Sequence, residues 1–284
     1  MSSKPDKKRS PHKGQKDARQ GHTPRHAPKR PQHRKNNAAG VESWIYGIHA
    51  VQAALANPKR RCERLMGTGG ALDRLDLGIA FNGKTDCIDV VERADIDALL
   101  GDEAVHQGLA LQASPLPDVD IIDVLKGINE NEPALFVALD QVTDPHNVGA
   151  VLRSAAAFGA HAMLTTRHNA PDETGVLAKA ASGALEAIPI VRVTNLKRSL
   201  KKCQEFGFWS VGLDATSEVD IGSMDMPARC VLILGAEGKG MRLTVQEMCD
   251  FVARLPMSGP MESLNVSNAA AISMYEWQRQ QSAS

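Results

Sequence analysis

Ala134-Leu135-Phe136-Val137-Ala138-Leu139, the loop Asp140 to Asn147, and then Val148-Gly149-Ala150-Val151-Leu152-Arg153-Ser154-Ala155-Ala156 decide the fold class of this chain. Six consecutive apolar residues without alternation predict a strand covered on both faces, as in a parallel sheet. Val148, Val151, Leu152, Ala155 and Ala156 then recur at i, i+3, i+4, i+7 and i+8, the stripe of a helix packed on that sheet. Asn147 is placed to cap this helix by accepting from an orphan backbone N–H, and Pro145 stiffens the approach. At 100° per residue, Arg153 lies roughly 130° from the centre of the stripe and does not face the core. Periodicity alone reads it as a solvated arginine. The alternative is a guanidinium held near the carboxyl end of a strand, where phosphate or a reacting hydroxyl could sit.

The same alternation continues toward the C-terminus. Ala162–Thr165, Ile188–Val193, Trp209–Leu213 and Cys230–Leu234 are further strand candidates, with helical stretches between several of them, and a last helix runs from about Val266 to Gln281. Strands alternating with helices indicate an α/β domain with a largely parallel sheet over 133–284. Upstream, Trp44-Ile45-Tyr46-Gly47-Ile48-His49-Ala50-Val51 opens a first folded segment, where Val51, Ala54 and Leu55 follow at helical spacing. Residues 41–115 suffice for a small α/β domain, and 116–132 reads as the connection, punctuated by Pro115 and Pro117.

Charge sets the N-terminus apart. The 33 basic and 33 acidic side chains of the 284 residues cancel, yet residues 1–40 hold 12 Lys/Arg against Asp6 and Asp17. That segment carries +10 and the remainder −10. It contains five of the fifteen prolines and no Val, Ile, Leu, Phe, Trp or Tyr, so it cannot bury enough apolar surface to offset chain entropy. The expectation is a disordered basic arm that adds phosphate contacts without reading or stacking bases. His12, His22, His26 and His33 within it are irregularly spaced, which argues for solvated side chains rather than metal ligands. No apolar run reaches the roughly 18 residues of a spanning helix, and no apolar region follows the basic start as in a secretory signal. Cys62, Cys87, Cys203, Cys230 and Cys249 are odd in number and form no C-x-x-C pair, which suggests reduced core thiols, no metal site and a cytoplasmic location.

Two more segments carry chemistry. In Leu232-Ile233-Leu234-Gly235-Ala236-Glu237-Gly238-Lys239-Gly240-Met241-Arg242 a buried strand runs into three glycines within six residues, where backbone must approach something closely. Met241 and Arg242 stand where a P-loop requires Lys and Ser/Thr, and the order G-x-x-G-x-G is not the dinucleotide motif. A tight turn would read the same. In Leu255-Pro256-Met257-Ser258-Gly259-Pro260-Met261-Glu262-Ser263-Leu264-Asn265-Val266-Ser267-Asn268 a stiff loop leads into the last helix. Ser263, Asn265 and Ser267 are more than one N-cap requires.

Taken in order, N-V-G-x-x-x-R-S, L-G-x-E-G-x-G and L-P-M-x-G-x-x-x-S-L-N-V-S resemble the three motifs of the SpoU (TrmH-like) branch of the SPOUT RNA methyltransferases, over roughly 134–281. Trp44–Val51 with Val105-His106-Gln107-Gly108 resembles the L30e-like substrate-binding domain of the subgroup that methylates a 23S rRNA guanosine at its 2′-OH. The resemblance implies a C-terminal trefoil knot, which general topology rules would argue against. It implies S-adenosylmethionine bound by Gly235, Gly238, Leu255, Met257 and Leu264. It implies a catalytic set of Arg153, Asn147, Glu237, Ser263 and Asn265, an RNA substrate, and a homodimer in which the first motif approaches the partner's cofactor pocket. A tRNA ribose methyltransferase shares the core, and a non-catalytic ribosome-associated RNA binder is the reading from another class.

Overall fold

The computed structural model describes residues 43–77, 86–168, 170–261 and 263–283; the arm expected over 1–40 lies outside them. The first sheet combines β1 (Ser43–Tyr46), β2 (Cys62–Gly67), β3 (Ile88–Val90) and β4 (Leu109–Ala113) in the order β1-β4-β2-β3. With it come α1 (Ile48–Ala56), α2 (Gly69–Leu72) and α3 (Arg93–Leu100). The α1 residues Ala50, Val51, Ala54 and Leu55 are buried, as their spacing requires. The loop before β4 is pinned by buried His106. Its Nε2 lies 2.8 Å from Asp97 Oδ1, and its Nδ1 accepts from the Gly108 N–H at 3.1 Å. An accepting Nδ1 puts the ring proton on Nε2, facing the carboxylate.

A short helix, α4 (Ile121–Lys126), follows, with Ile121 and Leu125 buried. The second sheet takes β5 (Ala134–Asp140), β6 (Ala162–Thr166), β7 (Ile190–Val193), β8 (Trp209–Leu213), β9 (Arg229–Gly235) and β10 (Phe251–Ala253). All its pairings are parallel, in the order β10-β8-β9-β5-β6-β7. Every residue of β5 is buried, as a strand covered on both faces must be. The helices are α5 (Pro145–Ala157), α6 (Gly175–Ala181), α7 (Ala184–Ala187), α8 (Leu196–Glu205), α9 (Leu243–Gln246) and α10 (Val266–Ala283). Leu135, Val137 and Leu139 of β5 share a core with α5, α6, α7 and α10, whereas Phe136 and Ala138 pack with α4, α8 and α9. That division is the period-2 alternation of a strand. Strand β9 enters between β5 and β8, β10 lies outside β8, and α10 returns onto α5. This is the doubling-back of the C-terminal segment that the expected trefoil requires.

Two details of α5 differ from the sequence reading. Asp144, not Asn147, is the N-cap: its Oδ1 accepts from His146 N at 3.0 Å, and Pro145 occupies the first turn, where its missing N–H costs nothing. Ala156 is exposed, so the buried stripe is Val148, Gly149, Val151, Leu152 and Ala155. Gly149 is there for packing. A Cβ on it would sit 2.5 Å from Ala180 Cβ and 2.8 Å from Leu177 O, so α6 could not lie this close to α5 with any larger residue.

The two sheets share one apolar core and an ionic lock. The Arg60 side chain is wholly buried, with Nη1 3.0 Å from Glu173 and Nη2 2.6 Å from Glu186, while Nη1 also donates to Ser114 O at 2.9 Å. Burial pushes the guanidinium down, but the two carboxylates outweigh it and hold the group above its ordinary value. Removing one partner of such a buried set costs about 3–5 kcal/mol, because a charge is left uncompensated.

Candidate functional site

Strands β8, β9 and β10 end side by side, and the loops leaving them enclose a pocket of about 630 Å³. Open parallel sheets bind ligands at this carboxyl edge. After β9, Gly235 to Gly240 forms one wall; after β10, Arg254, Leu255 and Met257 form a second; Ser263, Leu264, Val266 and Ala269 close it from the start of α10. Leu213 to Thr216, after β8, supply the floor. Of the expected cofactor residues, Gly235, Gly238, Leu255, Met257 and Leu264 all line this pocket. Met257 and Leu264 remain more than a third exposed there, apolar side chains presented to an opening rather than to a core.

Gly235 approaches its own chain: a Cβ would stand 2.0 Å from Gly240 C and 2.1 Å from Met241 N. Ala236 and Gly240 exchange backbone hydrogen bonds of 3.1 and 2.8 Å, closing a tight loop. Gly238 and Gly240 take φ of +74° and +66°, where a side chain would be strained, and nothing lies within 4 Å of either missing Cβ. The turn is then clamped from β5. Asp140 is fully buried and accepts from Arg242 N at 2.9 Å, Arg242 Nε at 2.9 Å and Nη2 at 2.6 Å. Hydrogen bonding to Asp140 holds the Arg242 guanidinium above its ordinary value.

Asn147, Glu237 and Asn265, one from each motif segment, meet in a single network. Glu237 Oε1 accepts from Asn265 Nδ2 at 2.6 Å, Asn147 Nδ2 at 3.2 Å and Val266 N at 3.3 Å. Asn265 Nδ2 also donates to Asn147 Oδ1 at 2.9 Å. Its Oδ1 meanwhile accepts from Ser267 N at 2.9 Å and Ser267 Oγ at 2.5 Å, so Asn265 caps α10 as well. Because Asp144 does the capping of α5, the Asn147 side chain is left available for this network. Ser263 lines the pocket beside it.

Arg153 stands apart. It is exposed and makes no hydrogen bond or ion pair with the described residues. Six positions beyond Asn147 on α5, it lies about 9 Å along the axis and about 120° around it. It therefore does not line the pocket of its own chain.

Sequence reasoning missed Asp140 and Asp214. Asp214 lines the pocket, its Oδ1 accepting from Thr216 N and Oγ1 at 2.8 and 2.7 Å and its Oδ2 from Gln246 Nε2 at 3.0 Å. A signal existed: each is the acid that directly follows the apolar run of a strand, at the edge where ligands bind. Among the described residues no cluster of three or more His, Cys, Asp or Glu side chains could hold a metal. The five thiols are free, and burial raises Cys62 to about 11 and Cys203 and Cys249 to about 12. No helix among the described residues is long and apolar enough to cross a membrane.

Comparison with known proteins converges on the same segments. The SpoU rRNA Methylase family matches residues 134–275, and the RNA 2′-O ribose methyltransferase substrate binding family matches 44–119. The 23S rRNA (guanosine-2′-O-)-methyltransferase RlmB of Pseudomonas putida is 41% identical over 239 residues, 83% of this chain and 96% of that protein. Its Escherichia coli K12 namesake is 38% identical over 247 residues, 85% of this chain and 100% of that protein. Among solved structures, the SpoU methyltransferase AviRb from Streptomyces viridochromogenes superposes with a TM-score of 0.70 at 24% identity, covering 85% of this chain and 90% of that one. With matched family segments, relatives at about 40% identity covered over nearly their whole length and a shared fold, the chain belongs to the SpoU rRNA methylase family.

Proposed function

We propose that the chain is an S-adenosylmethionine-dependent RNA ribose 2′-O-methyltransferase that acts on a guanosine of 23S rRNA. The observation that carries this reading is the network in which Asn147 and Asn265 hold Glu237 at the wall of a pocket on the carboxyl edge of the sheet. The relatives named for that activity at about 40% identity support the choice of substrate. In this division of labour, residues 41–115 present the RNA, 116–132 connect, and 133–284 hold the cofactor and the reacting ribose.

The pocket suits the cofactor in size and chemistry. Its volume falls in the range of small-molecule sites, and its walls combine apolar side chains with glycine- and proline-rich backbone that leaves N–H and C=O groups accessible. Gly235, Gly238, Leu255, Met257 and Leu264 would hold S-adenosylmethionine, which when bound supplies an electrophilic methyl group. The chain's task is to orient the ribose 2′-OH and to relieve it of its proton. A guanidinium keeps its charge at any working pH, so Arg153 orients the hydroxyl and the adjacent phosphate and is not the base. The proton passes to a neighbouring oxygen; Glu237 Oε2, which carries none of the network's hydrogen bonds, is the candidate acceptor at this wall, and Ser263 Oγ is placed on the same wall to relay the proton to it. Since Arg153 lies off its own chain's pocket, it serves the pocket of a second copy, in a homodimer with shared sites.

The test is to incubate RNA from a strain lacking the protein with methyl-labelled cofactor and to map the label. A labelled 2′-O-methylguanosine in 23S rRNA is the expected result. Label confined to tRNA would move the substrate, and no label in any RNA would overturn the reading.

A further inference from the structure

Helix α8 carries Lys197, Arg198, Lys201 and Lys202 on one side, and none of the four side chains has a hydrogen-bond or ion-pair partner among the described residues. At 100° per residue they span about 140°, centred opposite the buried Leu196, Ser199, Leu200 and Cys203. Only Lys202, in the last turn, is favoured by the helix dipole. Lys197 and Arg198 sit in the first turn, where the helix dipole disfavours cations, and no acid offsets them there. Lys197 and Lys201, like Arg198 and Lys202, are like-charged i,i+4 neighbours that repel. The residues after 40 carry a net −10, so an unpaired cluster of four cations runs against the charge of the folded part of the chain.

We infer that the outer face of α8 is a docking surface for the RNA phosphate backbone, separate from both the basic arm and the reaction pocket. A polyanion would relieve the repulsion that the helix bears alone, and with no aromatic side chain on the helix the surface would read charge, not sequence. The surface lies on the opposite face of the sheet from α5, because α8 packs with Phe136 and Ala138 whereas α5 packs with Leu135, Val137 and Leu139. It therefore stays free when Arg153 on α5 engages a second copy. Asn195, which caps α8 at its Arg198 N–H, follows β7, so Lys197 and Arg198 start from the same edge of the sheet as the pocket loops. The RNA that enters the pocket could then extend down the helix to Lys201 and Lys202.

This inference rests on the RNA-modifying reading above, and the two can fail separately. The test replaces all four residues in the full chain (Lys197→Gln, Arg198→Gln, Lys201→Gln, Lys202→Gln) and titrates wild type and variant with deproteinised 23S rRNA across a salt series. The slope of log affinity against log salt should fall in magnitude by about 0.7 for each single-strand phosphate that is no longer neutralised, roughly 3 in all. A Lys201→Gln, Lys202→Gln variant should show a smaller fall. S-adenosylmethionine binding should stay at the wild-type value and thermal stability should hold or rise as the repulsion disappears. An unchanged salt slope in the quadruple variant overturns the proposed surface, whatever the enzyme's activity. Displacement of RNA from wild type by polyglutamate as effectively as by RNA would also overturn it, in favour of an acidic protein partner. If the slope falls but wild type labels no RNA, the surface stands and the catalytic reading fails.

Discussion

Asn147 and Arg153 share one helix and one motif, yet the fold treats them in opposite ways. Asn147 is held by Glu237 and Asn265 within its own chain, whereas Arg153 is exposed with no partner among the described residues. The pocket lining and the network come from one chain, while the guanidinium that would act on substrate is displaced from them along and around the helix. The difference separates two tasks, building a cofactor site and delivering a charge to the reacting ribose, and predicts that mutations will separate them too.

The largest effect is expected from Arg153→Ala. Losing the group that orients the 2′-OH should lower methyl transfer by roughly a hundredfold or more. Because the side chain is exposed and leaves no cavity, melting temperature and calorimetric cofactor affinity should match wild type. A parallel drop in cofactor affinity would erase the contrast with Asn147. Asn265→Ala should do what Arg153→Ala does not. It removes the α10 cap and the links to Asn147 and Glu237, so cofactor affinity should fall by about tenfold, or about 1.4 kcal/mol. Unchanged affinity in that variant would mean that the network is not part of the cofactor wall.

Much of this division was legible in the sequence. The apolar run Ala134–Leu139 and the helical stripe after it located β5 and α5 because burial on both faces and a 3.6-residue period leave plain marks. Arg153 was correctly placed off the core by angle alone. What periodicity could not show was which acceptor caps α5, since Asp144 and Asn147 both qualify chemically and only backbone geometry chooses between them. Nor could it show what the Gly235 backbone approaches, because the answer, Gly240, depends on how the turn folds back. Asp140 was passed over for a related reason: its partner Arg242 lies 102 residues away.

Smaller substitutions sharpen the comparison. Glu237→Gln keeps an acceptor but removes its charge, and charge-assisted hydrogen bonds are roughly twice as strong as neutral ones. Cofactor affinity should fall by a few-fold, about half the Asn265→Ala effect in free energy, and methyl transfer should fall beyond that as the proton acceptor is lost; wild-type affinity and wild-type transfer in this variant would remove Glu237 from both roles. Asp144→Ala should cost about 1 kcal/mol of stability through loss of the N-cap, measured by denaturant midpoint, with methyl transfer per folded molecule unchanged. A drop in transfer rate beyond the loss of folded protein would show that the start of α5 also handles substrate.

The account's central claim is that the pocket of one chain is completed by Arg153 of another, and mixing two impaired variants, assayed at a cofactor concentration that limits Asn265→Ala, tests it most directly. Arg153→Ala and Asn265→Ala chains, co-expressed under different affinity tags and purified as verified heterodimers, contain one site with both native residues. Methyl transfer to 23S rRNA should return to about half the wild-type rate per dimer, since one of two sites is whole. Heterodimers no more active than either parent would contradict the shared site and return Arg153 to its own chain.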